Sequence, residues 1–199
     1  YKADVLVNRI NMSLGVQWKS VCEMLAIGTR LEYDLVIGCV DTRKSRLAIL
    51  RGLEECGGTR YWLDFGNKKD NGQVILGEVT KRTRSTDSRD RLPHVAEVYP
   101  DVIDERYESA DADVPSCSLA EALDKQSLFI NPAMSVIGMP ILWNLFTLGE
   151  IESHGAFVNL ACMQVTPLDV DHDVWARLGV VRDGVRQKIA VSRKKRKEV

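Results

Sequence analysis

The stretch Asp34-Leu-Val-Ile-Gly-Cys-Val-Asp41, followed at once by Thr42-Arg-Lys-Ser-Arg46, decides how this chain is read. Asp34 to Val40, mostly apolar, reads as a short strand of an open α/β sheet, and the run ends on a carboxylate. A basic helical segment begins directly after it. Ligands of such sheets bind outside the carboxyl ends of the strands, so Asp41 is positioned to hold a magnesium ion or to accept hydrogen bonds from a nucleotide. An acid at a helix start also caps that helix, with a stabilisation of about 0.5 to 2 kcal/mol. The residues alone leave both roles open.

Working outward, Asp41 to Cys56 reads as a helix with Leu47, Leu50 and Leu53 on one side and Gly57-Gly58 as its stop. Arg60 to Phe65 and Gln73 to Val79 are rich in β-forming residues, with a turn between them. Upstream, Lys2 to Ser13 has helical spacing and stops at Gly15, and Val16 to Met24 reads as a short strand. Downstream, a long charged connection is expected over 80–114, then a short helix over Ser118 to Gln126 and a long buried one over Leu128 to Leu148. A strand over Ala156 to Val165 and a small helix over Asp169 to Leu178 complete one domain over 1–180, and 181–199 is a basic tail.

The 199 residues suffice for one domain with a real core, and 45% apolar and 28% charged residues are ordinary for a globular protein. A formal net charge of −1 gives no global field to gather nucleic acid or an anionic membrane. Ser127 to Gly149 carries no charge, but Asn131, Pro132, Pro140 and Asn144 suit a helix packed in protein better than one in lipid. No signal peptide is recognisable, and a first residue Tyr1 reads as the continuation of a longer protein.

The five cysteines are scattered without a Cys-x-x-Cys pair, which suits a reducing cytoplasm and argues against disulfides and structural zinc. Cys117, in Pro115-Ser-Cys-Ser-Leu119, stands before a helical stretch whose unpaired N–H groups would favour its thiolate, although a small buried thiol is the commoner fate. Lys2 and Arg46, near two helix starts, could reach phosphates or remain ordinary cations. The three histidines lack ligand spacing, the four tryptophans fit core packing, and no Gly-x-Gly-x-x-Gly loop exists.

In this order the pieces resemble the E1-like ThiF/MoeB superfamily, which adenylates the C-terminus of ubiquitin-like proteins. Asp41 and Arg46 match the family's Asp-x-x-x-x-Arg, with Thr42 where asparagine is usual. Lys2-Ala3 matches the Lys-Ala at the start of the preceding helix, and Pro115 to Leu119 the segment around the thioester cysteine. Trp62 to Gly77, Ser116 to Leu123 and Leu128 to Asn131 most resemble the ThiF-family protein of the bacterial ParB-related, ThiF-related cassette (PRTRC).

The resemblance implies a Rossmann-like adenylation fold, a mostly parallel central sheet flanked by helices, with the N-terminal Gly-rich βαβ portion outside this chain. It further implies ATP and Mg2+ held by Lys2, Asp41 and Arg46, with Asp41 on the metal and Cys117 as nucleophile. The segment 80–114 would be the crossover loop that guides the partner's tail. A ubiquitin-like partner, a homodimer, and E2-like or JAB-like cassette partners follow; zinc, membrane and nucleic acid do not. The rival is a catalytically silent Rossmann-like binding or scaffold subunit. A nucleotide-dependent oxidoreductase or methyltransferase lacks any motif of its own here.

Overall fold

The computed structural model describes residues 1–81, 91–107 and 127–180. A five-stranded mixed sheet is flanked by helices on both faces. In chain order the elements are α1 (Lys2–Leu14), β1 (Leu35–Gly38), α2 (Arg43–Glu54), β2 (Thr59–Asn67) and β3 (Asn71–Thr80), then α3 (Val95–Val98), α4 (Ile130–Leu148), β4 (Ser153–Asn159), β5 (Gln164–Asp169) and α5 (His172–Arg177). Two short 3-10 turns, Pro100–Ile103 and Glu105–Tyr107, follow α3.

The strands lie in sequence order, β1-β2-β3-β4-β5. Only β1 and β2 are parallel, with Leu35 opposite Tyr61 and Gly38 opposite Asp64; the other three pairings are antiparallel. The expectation of a mostly parallel sheet is therefore corrected. Connection length accounts for three of the four pairings: β1 reaches β2 through α2, a crossover long enough for parallel strands. Residues 68–70 between β2 and β3, and 160–163 between β4 and β5, permit only hairpins.

Each face of the sheet has its own core. On one, Trp62, Ile75 and Val79 meet Ile49, Leu50 and Leu53 of α2, Val95 and Val98 of α3, and Trp175 of α5. On the other, Leu63, Val74, Leu76 and Val158 meet Ile130, Met134, Ile141 and Leu142 of α4. Alternation along β2 divides the layers: Trp62 and Asp64 point to the α2 side, Leu63 and Phe65 to the α4 side.

Several other expectations change. Val16 to Met24 is not a strand, because side chains tie it to α1 in place of a ladder: Asn11 bonds both the N–H and the carbonyl of Trp18, and Ser20 bonds Asp4. The segment read as one strand over Ala156 to Val165 is a hairpin that turns through Met163 at φ 55°. Part of the 80–114 connection is ordered. Leu92 is bonded to Glu78 on β3, and His94 passes so close to Gly77 that a Cβ there would lie 2.1 Å from the His94 Cα.

Helix α4, expected to be buried, is buried on one face only, and Trp18 and Trp143 are exposed where core packing was expected. Among the described residues no helix is long and apolar enough to cross a membrane. Residues 82–90 and 108–126, which include Cys117 and the helix expected over Ser118 to Gln126, lie outside the described residues, as does the tail over 181–199.

Candidate functional site at the end of β1

Strand β1 ends at Gly38, and Cys39, Val40 and Asp41 carry the chain across its carboxyl end to the amino end of α2. The cap of that helix is Thr42, in an extended conformation (φ −102°, ψ 151°), whose Oγ1 accepts from the Ser45 N–H at 3.1 Å and donates to Ser45 Oγ at 2.8 Å. Asp41 precedes the cap and is exposed, so its carboxylate is not the group that closes the helix end. The basic start of α2 is anchored beside it. Arg43 Nε donates to the Asp101 carbonyl at 2.8 Å, tying α2 to the first 3-10 turn.

Arg46 points inward. Its Nε donates to both carboxylate oxygens of Asp64 at 3.2 Å, and its Nη2 donates to the Phe65 carbonyl at 3.3 Å. Asp64 is fully buried on β2, opposite Gly38 across the parallel pair. Burial raises its carboxyl to about 6, although the Arg46 guanidinium and its hydrogen bond pull in the opposite direction. Desolvation outweighs the pairing here.

Gly38 makes room for this arrangement. A Cβ at that position would stand 2.8 Å from Trp62 Nε1 and 3.1 Å from Asp64 Oδ1. The Trp62 indole N–H is buried without a hydrogen-bond acceptor. Cys39, the next residue, has its thiol pushed up chiefly by burial and then by the negative charge of Asp64, with Arg46 opposing.

Asp41, Arg46 and Asp64 therefore all lie within electrostatic range of Cys39 at the end of β1. Lys2 is exposed on α1, a helix with no buried residue whose side-chain bonds run to Trp18 and Ser20 of the following segment. No bond among the described residues joins it to the end of β1. Cys117 lies outside the described residues.

Asp64 was missed in the sequence, and two signals mark it. It is an acid between the apolar Leu63 and Phe65 of a strand, and Arg46 shares the helical spacing of the buried Ile49, Leu50 and Leu53. A buried acid and a buried base of that kind are expected to pair.

The histidines have structural partners. In the β4–β5 pairing a register shift falls between Ser153 and Gly155, and the buried His154 between them bonds the Leu76 carbonyl through Nδ1 at 2.7 Å. Trp175 Nε1 donates to its Nε2 at 2.9 Å, which defines a neutral ring with its hydrogen on Nδ1. Glu97 closes the capping box of α3 with His94 and pairs with Arg91, and those partners hold its carboxyl below the ordinary range against the effect of burial.

No protein-family model matches the chain, and no curated protein matches it in sequence.

Proposed function

We propose that this chain is an E1-like adenylating domain of the ThiF type, which uses ATP and Mg2+ to activate the C-terminal carboxylate of a ubiquitin-like protein. The observation that carries the reading is the β1-α2-β2 unit, with parallel strands and an exposed Asp41 between the carboxyl end of β1 and the Thr42-capped amino end of α2. In α/β sheets this is where nucleotides bind. The rest is analogy with the family the sequence resembles.

The donor set at this end suits the metal. Magnesium keeps several waters and takes one or two protein carboxylates together with the substrate's phosphates, so a single exposed Asp41 is enough. The metal would spread negative charge away from the phosphates. Asp41 would orient it, and by analogy with the family Lys2 would add a positive charge. Arg46 acts one step back, holding Asp64 and the end of β2 against α2.

The partner's carboxylate oxygen attacks the α-phosphorus of ATP, and pyrophosphate leaves. The Cys117 thiolate then attacks the acyl carbon, forming a thioester as AMP departs. ATP–pyrophosphate exchange, measured with the full-length protein and its ubiquitin-like partner, tests the first step. Exchange lost in Asp41→Ala supports the reading, and its absence with every candidate partner overturns it. A thiol-labile adduct lost in Cys117→Ala, while exchange persists, tests the second.

One observation favours the silent scaffold reading: Arg46 is turned to Asp64. On that reading the protein shows no exchange, yet still co-purifies with the partner.

A further inference from the structure

The bulge in β4 decides where His154 points. Ala156 and Val158 face the α4 layer, and strict alternation would send position 154 with them. The register shift between Ser153 and Gly155 re-aims it, as bulges do, toward Trp175 in the core on the opposite face. The β3–β4 ladder ends at Ile75 opposite Gly155, and the Leu76 carbonyl just beyond is met by the His154 ring.

The ring is fully buried and stands edge-on to the indole, with ring centres 5.5 Å apart. Nδ1 donates to the Leu76 carbonyl at 2.7 Å, and Nε2 accepts from the Trp175 indole N–H at 2.9 Å. Only a neutral ring can do both, because an imidazolium donates at each nitrogen and accepts at neither. Trp175 is in turn the buried residue of α5, so this bond and the packing around it hold the helix down.

We infer that α5 is an acid-released latch: a proton from solvent on His154 Nε2 would set two N–H groups against each other, and Trp175 would leave the core with its helix. A six-residue helix does not persist by itself, so undocking melts α5. The docked form has no room for this proton, and the released form takes it up freely. Below the ordinary imidazole value of about 6.5, release is therefore favoured by up to about tenfold for each pH unit.

Other ionisable groups surround this corner. Asp169 of β5 accepts from Ser153 Oγ, Asp171 and Asp173 stand at the start of α5 and Arg177 at its end, and Glu152 precedes β4; all five are exposed. Glu78 of β3 is bonded to the Leu92 N–H. The exposed acids attract a cation on the ring only through screening water, whereas the Trp175 N–H opposes it at 2.9 Å inside the core. His172 is the second ring in reach, exposed and centred 4.9 Å from the indole.

Native-state hydrogen exchange of the 199-residue chain tests the inference, read at the amides that α5 and its end keep bonded, those of Trp175, Leu178 and Val180. Corrected for the pH dependence of unprotected amides, their protection should fall about tenfold between pH 7.5 and 5.5. In His154→Gln the side-chain amide can still donate to Leu76 and accept from Trp175 but does not titrate, so the pH effect should vanish. His172→Gln should leave the effect intact.

Protection that is independent of pH in the wild type overturns the inference. So does an effect that survives His154→Gln, or one that disappears in His172→Gln, which would make the exposed ring the trigger. If His154→Gln fails to fold, the ring nitrogens of wild-type His154, followed by NMR, decide instead. A neutral ring with its hydrogen on Nδ1 in the docked form at pH 5.5 supports the latch, and a doubly protonated ring beside a still-protected α5 refutes it.

Discussion

The two main helices, α2 and α4, cover opposite faces of the same sheet by different means. Helix α2 is self-sufficient: Thr42 caps it, Ile49, Leu50 and Leu53 pack it down, and its one buried charge is matched by Asp64. Helix α4 has no side-chain cap at Phe129, no charge, and apolar residues on the side that faces away from the sheet. A helix that leaves so much apolar surface in water is unfinished as a surface, whereas α2 is complete. The nucleotide reading belongs to the end of α2.

The sharpest way to break this contrast is at the ion pair. Asp64→Ala leaves Arg46 buried without its carboxylate and should cost about 3 to 5 kcal/mol, the usual loss when one member of a buried pair is removed. Urea unfolding monitored by circular dichroism measures it. A loss below about 1 kcal/mol would show that Arg46 turns out to solvent and that α2 does not depend on the pair.

The titration of Asp64 follows from its surroundings. Its folded-state pKa of about 6 exceeds the ordinary 3.8, so between these values the native protein holds more protons than the unfolded chain. Its contribution is fully present below about 3.8 and is lost as the pH rises through 6. In this window the Asp64 contribution to stability falls by about 3 kcal/mol at most. Asp64→Asn should flatten that slope; an unchanged pH profile in the variant assigns the slope to other groups.

On the α4 side, a Cβ at Gly138 would meet Phe65 Cε1 at 2.5 Å and Val74 Cγ2 at 2.8 Å. Gly138→Val should therefore destabilise by about 1 to 3 kcal/mol through overpacking. Trp143→Glu on the opposite side of the same helix should change the stability of the monomer by no more than about 0.5 kcal/mol. Thermal unfolding of both variants under monomeric conditions compares the inner and outer faces directly. Equal losses would mean that both faces are packed.

Between these two effects lies Thr42→Ala, which removes the cap of α2 and should cost about 1 kcal/mol. The Ser45 amide is the reporter: its hydrogen exchange should accelerate, whereas amides of α4 should not respond. Faster exchange in α4 as well would mean that the two layers unfold together.

Much of this fold was legible from spacing. Strand β2, strand β3 and helix α2 appear within a few residues of where periodicity places them, because each buries one apolar face. The resemblance implied a mostly parallel sheet, but the turn read between Arg60–Phe65 and Gln73–Val79, and a second one at 160–163 inside the stretch read as one strand, reverse the chain. Val16 to Met24 has a strand-like composition and no strand beside it; its backbone and side chains are tied to Asn11 and Asp4 instead.

At the candidate site Asp41 was found from its position after β1, and its exposure keeps it available to a ligand. Arg46 was singled out for its charge, and its direction was not visible: helical spacing places it on the buried side, where Asp64 of the next strand pairs with it. Asp64 and Trp62 became parts of the site through the register of β2 against β1.

By itself, the sequence determined α2, β2 and β3 to within a few residues, that the strand before Asp41 leads into a basic helix, and that α4 is uncharged. Those are local properties, set by side-chain period and by the residues that start and stop each element. Only the tertiary structure decided that three of the four strand pairings are antiparallel, that Arg46 turns inward to Asp64, and that one side of α4 remains in water. Each of these depends on which distant residues share a layer, and the order of residues along the chain does not specify that.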